Sequence, residues 1–500
     1  MSKKVTRLTQ ISRRDFIRDC AVTAATLTSV PILGGWSANR DPIQGKSGPA
    51  CRTFSLDRNW LFGGKLDAAA LQPGFSDSPF TRVALPHCVT PLSWNNWDPA
   101  SWENVWVYRR HFALPDGFSR QRVFLHFERV MATASPVVNG HPLPQHRGGF
   151  LPFEREITSL MQEKNVLAVA VDSRWKSIPP AGSPKGPVSV DYMLPGGMNG
   201  SVDLRIVPQV FISNVFAKPM NVLTSDRQLE VTCSVDAGVP LERPIRLVAS
   251  LQDGPRILAS TSKKLGLEKA GETEVALTLG DLGNIQLWDV SAPHLYDLVV
   301  TLFADDKPLH DYRTRVGFRD ARFEVDGFFL NGKRLQIFGL NRHELYPYIG
   351  FAAPVRLLRR DAQILRHEFN CNMVRCSHYP QSEAFLDACD ELGMMVWEET
   401  PGWQYIGDET WQDLVVSDVK EMVRRDRNHP AVIIWGVRIN ESRNDPAFYR
   451  LRLGYLERRN LYSYLNTPSG KVMDHVARHR PHTVNNPHSC AWKGSPMPGL

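Results

Sequence analysis

The sequence lacks three features that would each point to a particular class of protein. After residue 33 it has no apolar run of the roughly 20 residues that a membrane-spanning helix needs, so stable membrane insertion is not expected. Its 8 cysteines are scattered without zinc-ligand or disulfide spacing, so we expect mostly free, buried thiols. No Ser-His-Asp, P-loop or zinc motif is present, which removes the usual signatures of serine hydrolases, nucleotide-binding proteins and zinc enzymes.

The chain also lacks a basic body, although its formal net charge is +7. Residues 1–41 hold seven Lys and Arg against three Asp, a charge of +4, and residues 451–500 hold seven against two acidic residues, a charge of +5. The remaining residues, 42–450, therefore carry a charge of −2. A phosphate-binding groove normally shows as clustered Lys and Arg on a folded domain, so no nucleic-acid partner is expected.

The first basic segment has the form of an export signal. Residues 12–17 read SRRDFI, which matches the twin-arginine signature, and a modestly apolar stretch follows at 21–33. We expect residues 1–41 to be a twin-arginine signal segment and the protein to be periplasmic or secreted. A chance pair of arginines on an amphipathic arm is the alternative.

Two β-rich regions follow the signal. Residues 52–207 alternate apolar and polar positions in short strands, with an Asn-Gly hairpin turn at Asn139 and a long Pro- and Gly-rich loop at 179–200. Residues 210–317 repeat strands at about ten-residue spacing, which is typical of an immunoglobulin-like sandwich.

From about residue 322 the pattern changes to alternating strands and helices. We predict apolar strands at 335–339, 372–376, 394–397 and 432–435, and helices at 355–369, at 382–392 and from a capping box at 410–413 onwards. Apolar strands that alternate with helices indicate a parallel sheet covered on both faces. The leading candidate is the first half of a (β/α)8 TIM barrel, over residues 322–450.

The predicted barrel is incomplete within these 500 residues. Such a barrel takes about 250 residues, so one that begins near 322 should run to about 570. The strand and helix periodicity also lapses after 450, where Arg, His and Pro are in excess. We therefore expect residues 451–500 to be an atypical tail, as if the reading frame were broken near 450. A genuine variant tail is the alternative.

One carboxylate stands out on position alone. Glu441 falls just after the fourth predicted barrel strand, on the face where barrel enzymes place their chemistry. A carboxyl group there can act as a general acid or base. Taken by itself, however, Glu441 is better interpreted as a surface residue that starts a helix after Asn440, which would then be the helix cap.

Several motifs, in order, decide between these interpretations. The blocks from the barrel region are IWGVRINES at 434–442, RDRNHP at 425–430, FGLNRHE at 338–344, VRCSHYP at 374–380 and CDELG at 389–393. Upstream blocks are LNGK at 330–333, Trp288 with PHLY at 293–296, and WVYRR at 106–110. Together they resemble family 2 of the glycoside hydrolases, the β-galactosidase and β-glucuronidase-like enzymes, over residues 52–450. The resemblance implies that the first region is a jelly-roll, galactose-binding-like domain.

The resemblance also implies roles for individual residues. Glu441 would be the acid/base of a retaining β-glycosidase. The expected substrate-binding residues are Asn440, His378, His343, Arg375, Glu399 and Trp403, of which Asn440 would bind the sugar 2-hydroxyl and Arg375 would orient the nucleophilic carboxylate. For His378 and His343, which end the second and first strands, a histidine that braces the core or a loop is the alternative.

The nucleophile is the missing part. A retaining glycosidase needs a second carboxylate about 5–5.5 Å from the first, which the family carries on its seventh barrel strand, and we find no matching segment here. We therefore expect a glycosidase by descent that is inactive as this chain, or a non-catalytic carbohydrate-binding protein. The expected partner is a β-linked carbohydrate. No cofactor is expected, and no metal, because the metal-binding pattern of the large β-galactosidases is not evident after Glu399. A homo-oligomer remains open.

Overall fold

The computed structural model describes residues 52–93, 98–114, 118, 121–439, 441–443, 445 and 448, together with two short strands at 463–466 and 472–474. The predicted signal segment at 1–41, Asn440 and most of 451–500 lie outside these described residues. Among the described residues, no helix is long and apolar enough to cross a membrane.

The first domain is a sandwich of two antiparallel sheets. Its strands are β1 (Arg52–Ser55), β2 (Trp60–Lys65), β3 (Thr81–Val83), β4 (His87–Cys88), β5 (Val105–Phe112), β6 (Arg122–Phe127), β7 (Thr133–Val138), β8 (His141–Pro142), β9 (His146–Arg147), β10 (Phe153–Glu156), β11 (Asn165–Asp172), β12 (Gly197–Met198) and β13 (Val202–Val207). One sheet has the order β1-β13-β6-β10 and the other β3-β2-β5-β11-β7-β8, with β9 also paired to β7, while β4 and β12 pair with each other outside these two sheets.

Alternation along these strands buries one face of each sheet. Leu125 and Leu204 from the first sheet pack with Tyr108 and Val169 from the second in one apolar core. The hairpin predicted at Asn139 is present, since Val138 pairs with His141 across a turn in which Asn139 and Gly140 both have positive φ.

The second domain has the expected immunoglobulin-like form. Its strands are β14 (Val210–Met220), β15 (Gln228–Ala237), β16 (Ile245–Asp253), β17 (Arg256–Leu265), β18 (Gly271–Leu279), β19 (Tyr296–Ala304) and β20 (Lys307–Val316). They form sheets of order β14-β15-β18 and β17-β16-β19-β20. Alternate residues such as Val231, Leu247 and Val300 fill the space between the two sheets.

The third domain begins with a small antiparallel sheet and continues as a parallel one. The small sheet contains β21 (Ala321–Glu324), β22 (Gly327–Leu330) and β23 (Lys333–Arg334). The larger sheet has the order β24 (Gly339–Arg342), β25 (Met373–Cys376), β26 (Met395–Glu399), β27 (Val432–Gly436), β28 (Ser463–Asn466) and β29 (Val472–Asp474). β24 to β28 run parallel and β29 is antiparallel to β28.

Among the described residues, three helices cover the strands of this sheet, as expected for β-α units. They are α1 (Val355–Gln363), which continues through a π-helical turn at Ile364–Glu368, α2 (Glu383–Leu392) and α3 (Glu409–Asp426). Ser382 caps α2 through its hydroxyl, and Gly393 ends the helix in the left-handed conformation that favours glycine, with φ 67°. Apolar side chains on α2 and α3, such as Phe385 and Val419, pack against Val396 and Ile434 of the strands.

The structure corrects three details of the sequence analysis. The first barrel strand is β24 and not 335–339. Leu335 and Ile337 lie outside the sheet, and their apolar side chains pack against the barrel core. Helix α3 begins before the predicted capping box, with Asp408 as its cap. The tail at 451–500 does contribute to the sheet, through β28 and β29. These two strands have only four and three residues, too few for apolar periodicity to show.

Candidate active site

The predicted site residues follow the carboxyl ends of four neighbouring parallel strands. His343 comes directly after β24, His378 comes two residues after β25, Glu399 ends β26, and Glu441 follows β27. Because parallel strands present their carboxyl ends at the same edge of a sheet, these side chains lie around one opening, here called the mouth.

A buried hydrogen-bonded group lies at the centre of this mouth. Arg375 Nε donates to Glu399 Oε1 at 2.6 Å, and Nδ1 of His378 lies 2.9 Å from Glu399 Oε2. The side chains of Glu399 and His378 are 0% and 8% exposed. Since both carboxylate oxygens are occupied by donors, Glu399 fixes the orientation of Arg375 and of the His378 ring. The structure thus brings these three predicted residues into contact.

The neighbouring carboxylate, Glu398, points to the other side of the strand. Successive side chains of a strand alternate between faces, so Glu398 faces the helix layer, where Gln381 N donates to its Oε1 at 2.8 Å. Burial, and then the negative charge of Asp426, raises the pKa of Glu398. Glu398 is therefore part of the packing beneath the mouth, and Glu399 is the residue that reaches it.

His343 lies at the rim of the mouth and is exposed. Its ring centroid is 5.6 Å from that of His378 and 5.2 Å from that of Tyr192. Desolvation, and then the positive charge of His378, lowers the pKa of His343 to about 4. At neutral pH His343 is therefore an uncharged imidazole.

Trp403 places an aromatic ring beside His378. The two ring centroids are 5.1 Å apart, and Trp403 is 8% exposed. Ser442 Oγ donates to the Trp403 carbonyl at 2.8 Å, which ties the loop after β26 to the segment that carries Glu441. Gly402 permits this approach, since a Cβ there would lie 2.9 Å from Cγ1 of Ile439.

Two residues at the mouth come from the first domain and were missed by the sequence analysis. They are Asp191 and Tyr192, within the loop predicted at 179–200. Tyr192 donates its hydroxyl to the Gly402 carbonyl at 2.9 Å, and its ring lies 6.2 Å from that of Trp403. The only sequence signal was an acidic-aromatic pair within a long Pro- and Gly-rich loop.

Electrostatics place Glu441 at the same mouth. Desolvation raises the pKa of Asp191, the positive charge of His378 opposes this, and the negative charge of Glu441 adds to it. The pKa of Tyr192 is likewise raised, chiefly by desolvation and with smaller contributions from Glu399 and Glu441. Glu441 thus lies within electrostatic reach of both first-domain residues. Its neighbour Asn440 is outside the described residues.

Among the described residues, one group could hold a metal by geometry, and it lies away from the mouth. Asp387, Asp390 and His429 bring their ligand atoms within 4.8 Å of one another. Asp390 also accepts from the backbone N of Ala431, just before β27, so the group lies at the amino-terminal face of the sheet. Arg315 already pairs with both aspartates, so the group forms an ion-pair network between domains.

Comparison with protein families matches three consecutive regions of the chain. Residues 89–205 match the glycosyl hydrolase 2 galactose-binding domain-like family, residues 210–319 match glycosyl hydrolases family 2, and residues 322–453 match the family 2 TIM barrel domain. The three matches follow the order of the three domains described above.

Individual relatives agree with these matches. The β-galactosidase of Thermoanaerobacterium thermosulfurigenes is 36% identical over 414 residues, which cover 80% of this chain and 55% of the relative. The β-glucuronidase of Bacteroides fragilis is 26% identical over 401 residues, covering 75% of this chain and 56% of the relative. The chain thus spans about half the length of the curated relatives it matches.

A solved structure shows the same architecture. The crystal structure of Bacteroides uniformis β-glucuronidase superposes with a TM-score of 0.73 at 26% identity. The superposition covers 83% of this chain and 52% of the other. The jelly roll, the immunoglobulin-like sandwich and the partial barrel are therefore arranged as in a known glycoside hydrolase.

Proposed function

Since the chain belongs to family 2 of the glycosyl hydrolases, we propose that its mouth binds a β-linked glycoside and that Glu441 is the acid/base residue. One observation carries this proposal: side chains from the ends of four consecutive parallel strands meet a first-domain loop at one opening. Glu441 would protonate the glycosidic oxygen and later deprotonate the attacking water.

The surrounding residues would bind and orient the sugar. We assign hydroxyl contacts to His378, His343 and Asp191, and a stacking face to Trp403, because aromatic rings pack well against the apolar face of a sugar. Arg375 and Glu399 would hold His378 in position. The family resemblance assigns the 2-hydroxyl to Asn440, which the structure does not describe.

A retaining, double-displacement mechanism would need a second carboxylate about 5–5.5 Å from Glu441. The family resemblance assigns that role to no residue of this sequence. Glu399 is a poor candidate because Arg375 and His378 already occupy its two oxygens. We therefore propose that this 500-residue chain, assayed alone, binds β-glycosides without hydrolysing them.

The identity of the sugar is a narrower proposal. A relative at 36% identity is named a β-galactosidase, whereas the solved structure with a TM-score of 0.73 is a β-glucuronidase. Galactosides and glucuronides should therefore be the first glycosides tested, alongside a β-glucoside, which has the ring configuration of the glucuronide but lacks its carboxylate.

The test measures binding and turnover on the same protein. Calorimetric titration with phenyl β-galactoside, β-glucuronide and β-glucoside should give binding of at least one, and the matching 4-nitrophenyl glycosides should give no release of nitrophenol. Glu441→Gln is the test variant. Glu421→Gln, on the exposed face of α3, is the matched control.

Each outcome decides one part of the proposal. Absence of binding to all three glycosides would overturn the assignment of the mouth as a glycoside site. Turnover would overturn the proposed inactivity. If that turnover falls in Glu441→Gln but not in Glu421→Gln, and falls further for phenyl than for nitrophenyl glycosides, Glu441 is the acid, because the poorer leaving group needs protonation more.

We also propose export by the twin-arginine route. The support is the sequence at 12–17 alone. Replacement of Arg13 and Arg14 by Lys should retain the protein in the cytoplasm, and an unchanged periplasmic yield would contradict the proposal.

A further inference from the structure

A buried hydroxyl behind the mouth has two partners. Tyr379 is 0% exposed, and its hydroxyl accepts a hydrogen bond from the backbone N–H of Glu344 at 2.9 Å. The same oxygen lies 3.3 Å from Nδ1 of His343. A buried hydroxyl normally donates its own proton as well. Of the described atoms that hydrogen-bond to it, only Nδ1 of His343 can accept that proton.

The direction of this hydrogen bond fixes the state of the imidazole. If Nδ1 accepts from Tyr379, Nδ1 carries no proton, and the neutral ring must carry its proton on Nε2. We propose that Tyr379 holds His343 as the Nε2–H tautomer, and that Arg129 of the first domain positions this pair through Glu344.

His378 makes the opposite arrangement at the same mouth. Its Nδ1 lies 2.9 Å from Glu399 Oε2, and a carboxylate only accepts, so Nδ1 of His378 carries a proton. Two histidine rings 5.6 Å apart thus differ at Nδ1, which carries a proton in His378 and none in His343. The lowered pKa of His343 agrees, since a neutral ring can accept from Tyr379 whereas an imidazolium cannot.

The position of Tyr379 depends on a buried ion pair between domains. Arg129 Nη1 donates to Glu344 Oε1 at 2.6 Å, with side chains 4% and 1% exposed. Burial alone would raise the pKa of Glu344, but the charges of Arg129 and Arg342 hold it below its ordinary value. Because the N–H of Glu344 is the donor to Tyr379, the ion pair places that donor.

The first domain also holds the tyrosine ring. Phe150 stacks on Tyr379 with centroids 4.4 Å apart and an interplanar angle of 11°. Met131, Phe150 and Tyr192 of the first domain share one apolar cluster with Tyr379 and Trp403 of the barrel. The first domain therefore reaches His343 by a polar path through Arg129 and by an apolar path through Phe150.

The role of this arrangement rests on the proposed function. An Nε2–H at the exposed rim can donate to a sugar oxygen at neutral pH. It cannot accept a proton there. His343 would thus be a fixed hydrogen-bond donor and not a base.

The tautomer can be measured without any sugar. Selective ¹⁵N labelling of the 15 histidines, with His343→Gln to assign the signal, reports which ring nitrogen is protonated. We expect His343 to be the Nε2–H form near pH 7. In Tyr379→Phe the ratio of Nε2–H to Nδ1–H should fall about tenfold, the equivalent of one neutral hydrogen bond. Tyr192→Phe is the matched control, since it also loses a buried hydroxyl beside the His343 ring but one that donates to Gly402. An Nδ1–H form in the parent protein, or the same ratio in Tyr379→Phe and the parent, would overturn the proposal.

A second variant tests the contribution of Arg129. Arg129→Met leaves Glu344 buried without this partner and could prevent folding, so Arg129→Met/Glu344→Gln is used, which removes both charges. If Arg129 positions the pair, the His343 tautomer ratio should fall at least threefold while the circular dichroism spectrum is unchanged. An unchanged ratio in the folded double variant would show that Arg129 has a structural role only.

The two proposals can fail separately. The ¹⁵N measurement on unliganded protein decides the tautomer, and the glycoside titrations decide the function. A confirmed tautomer in a protein that binds no glycoside would leave the hydrogen-bond assignment standing and remove its proposed use.

Discussion

The barrel sheet meets a different β-domain at each of its two ends, and the two contacts reach different parts of the barrel. At the carboxyl ends of the strands, the first domain inserts Tyr192 and Phe150 into a shared apolar cluster and adds the buried Arg129–Glu344 pair. At the amino ends, the immunoglobulin-like domain packs Trp288 into the apolar core of the barrel and also makes polar contacts. Asn428 Oδ1 accepts from the backbone N of Ala217, and Trp288 Nε1 donates to the carbonyl of Asp390.

The two β-domains therefore have different roles with respect to the candidate site. In TIM barrels the carboxyl face carries the chemistry, and the amino face is where changes act on stability. Among the described residues, the immunoglobulin-like domain contacts helix ends, the segments that precede strands and the start of β27. The first domain touches the loops that carry His343, His378 and Trp403. The first domain is therefore part of the candidate site, and the second is a platform for it.

The largest expected effect comes from the buried pair at the carboxyl face. Arg129→Met leaves Glu344 with one charged partner fewer in a buried setting, which should lower the free energy of unfolding by about 3–5 kcal/mol. Denaturant unfolding followed by tryptophan fluorescence measures it. Arg129→Met/Glu344→Gln should recover most of the loss, because no uncompensated charge remains. A loss below about 1 kcal/mol in Arg129→Met would mean that this interface does not depend on the pair.

The contribution of the amino face to the free energy of unfolding should depend on pH. Burial alone would lower the pKa of His429, but Asp390, at 2.6 Å from its Nδ1, outweighs this and raises the pKa to about 9. A raised folded-state pKa means that the stabilisation is complete below the unfolded value near 6.5 and is lost as pH rises through about 9. The free energy of unfolding should thus fall by up to about 3 kcal/mol between pH 6.5 and 9.5.

His429→Gln is the control for that pH dependence. The variant should be less stable at pH 6.5, and its free energy of unfolding should no longer show the fall that His429 causes between pH 6.5 and 9.5. Glycoside binding at the distant mouth should be unchanged. An equal slope in the variant and the parent would assign the pH dependence to other groups.

A smaller effect should separate affinity from stability at the carboxyl face. Asp191 is exposed, so Asp191→Asn should change the thermal midpoint little, whereas loss of a charged hydrogen bond to a sugar should weaken binding roughly 10- to 100-fold. Calorimetric titration with the glycoside that the parent binds measures it. Glu163→Gln, an exposed carboxylate in the turn before β11, is the control. Equal affinities in all three proteins would remove Asp191 from the site.

Local pattern was enough to predict the β-α units of the barrel. Apolar runs marked β25, β26 and β27, and capping residues such as Ser382 marked the helix ends, because burial and capping depend on neighbours in sequence. Motif positions at strand ends then placed His343 and His378 around one mouth. The predicted start of β24 was wrong by about four residues. Leu335 and Ile337 are apolar because they are packed against the barrel core, and apolar character alone does not show that a residue pairs in a sheet.

Contacts between domains could not be predicted in this way. Tyr192 lies about 210 residues from Gly402, and Arg129 lies 215 residues from Glu344. Neither contact is marked by a periodic pattern in the sequence. Considered alone, Arg129 would be interpreted as an ordinary charged residue on the surface. The tautomer of His343 depends on a hydroxyl that itself depends on such a contact. The strand ends that carry the candidate site residues could thus be predicted from sequence, whereas the first-domain residues that contact them could not.

The smallest expected effect is at the surface of the amino face. Arg424 and Glu272 link α3 to the immunoglobulin-like domain at 3.2 Å, and both side chains are 40% exposed. Exposed pairs contribute roughly 0.2–1 kcal/mol because water and salt screen them. Arg424→Met should therefore cost less than about 1 kcal/mol in denaturant unfolding, and the cost should vanish at 1 M salt, where the Debye length is about 3 Å. If Arg424→Met instead cost as much as Arg129→Met and resisted salt, both β-domains would be bound to the barrel in the same way. In that case the first domain would not be attached more tightly than the second. The role of the carboxyl face in the site would then depend only on which residues lie there.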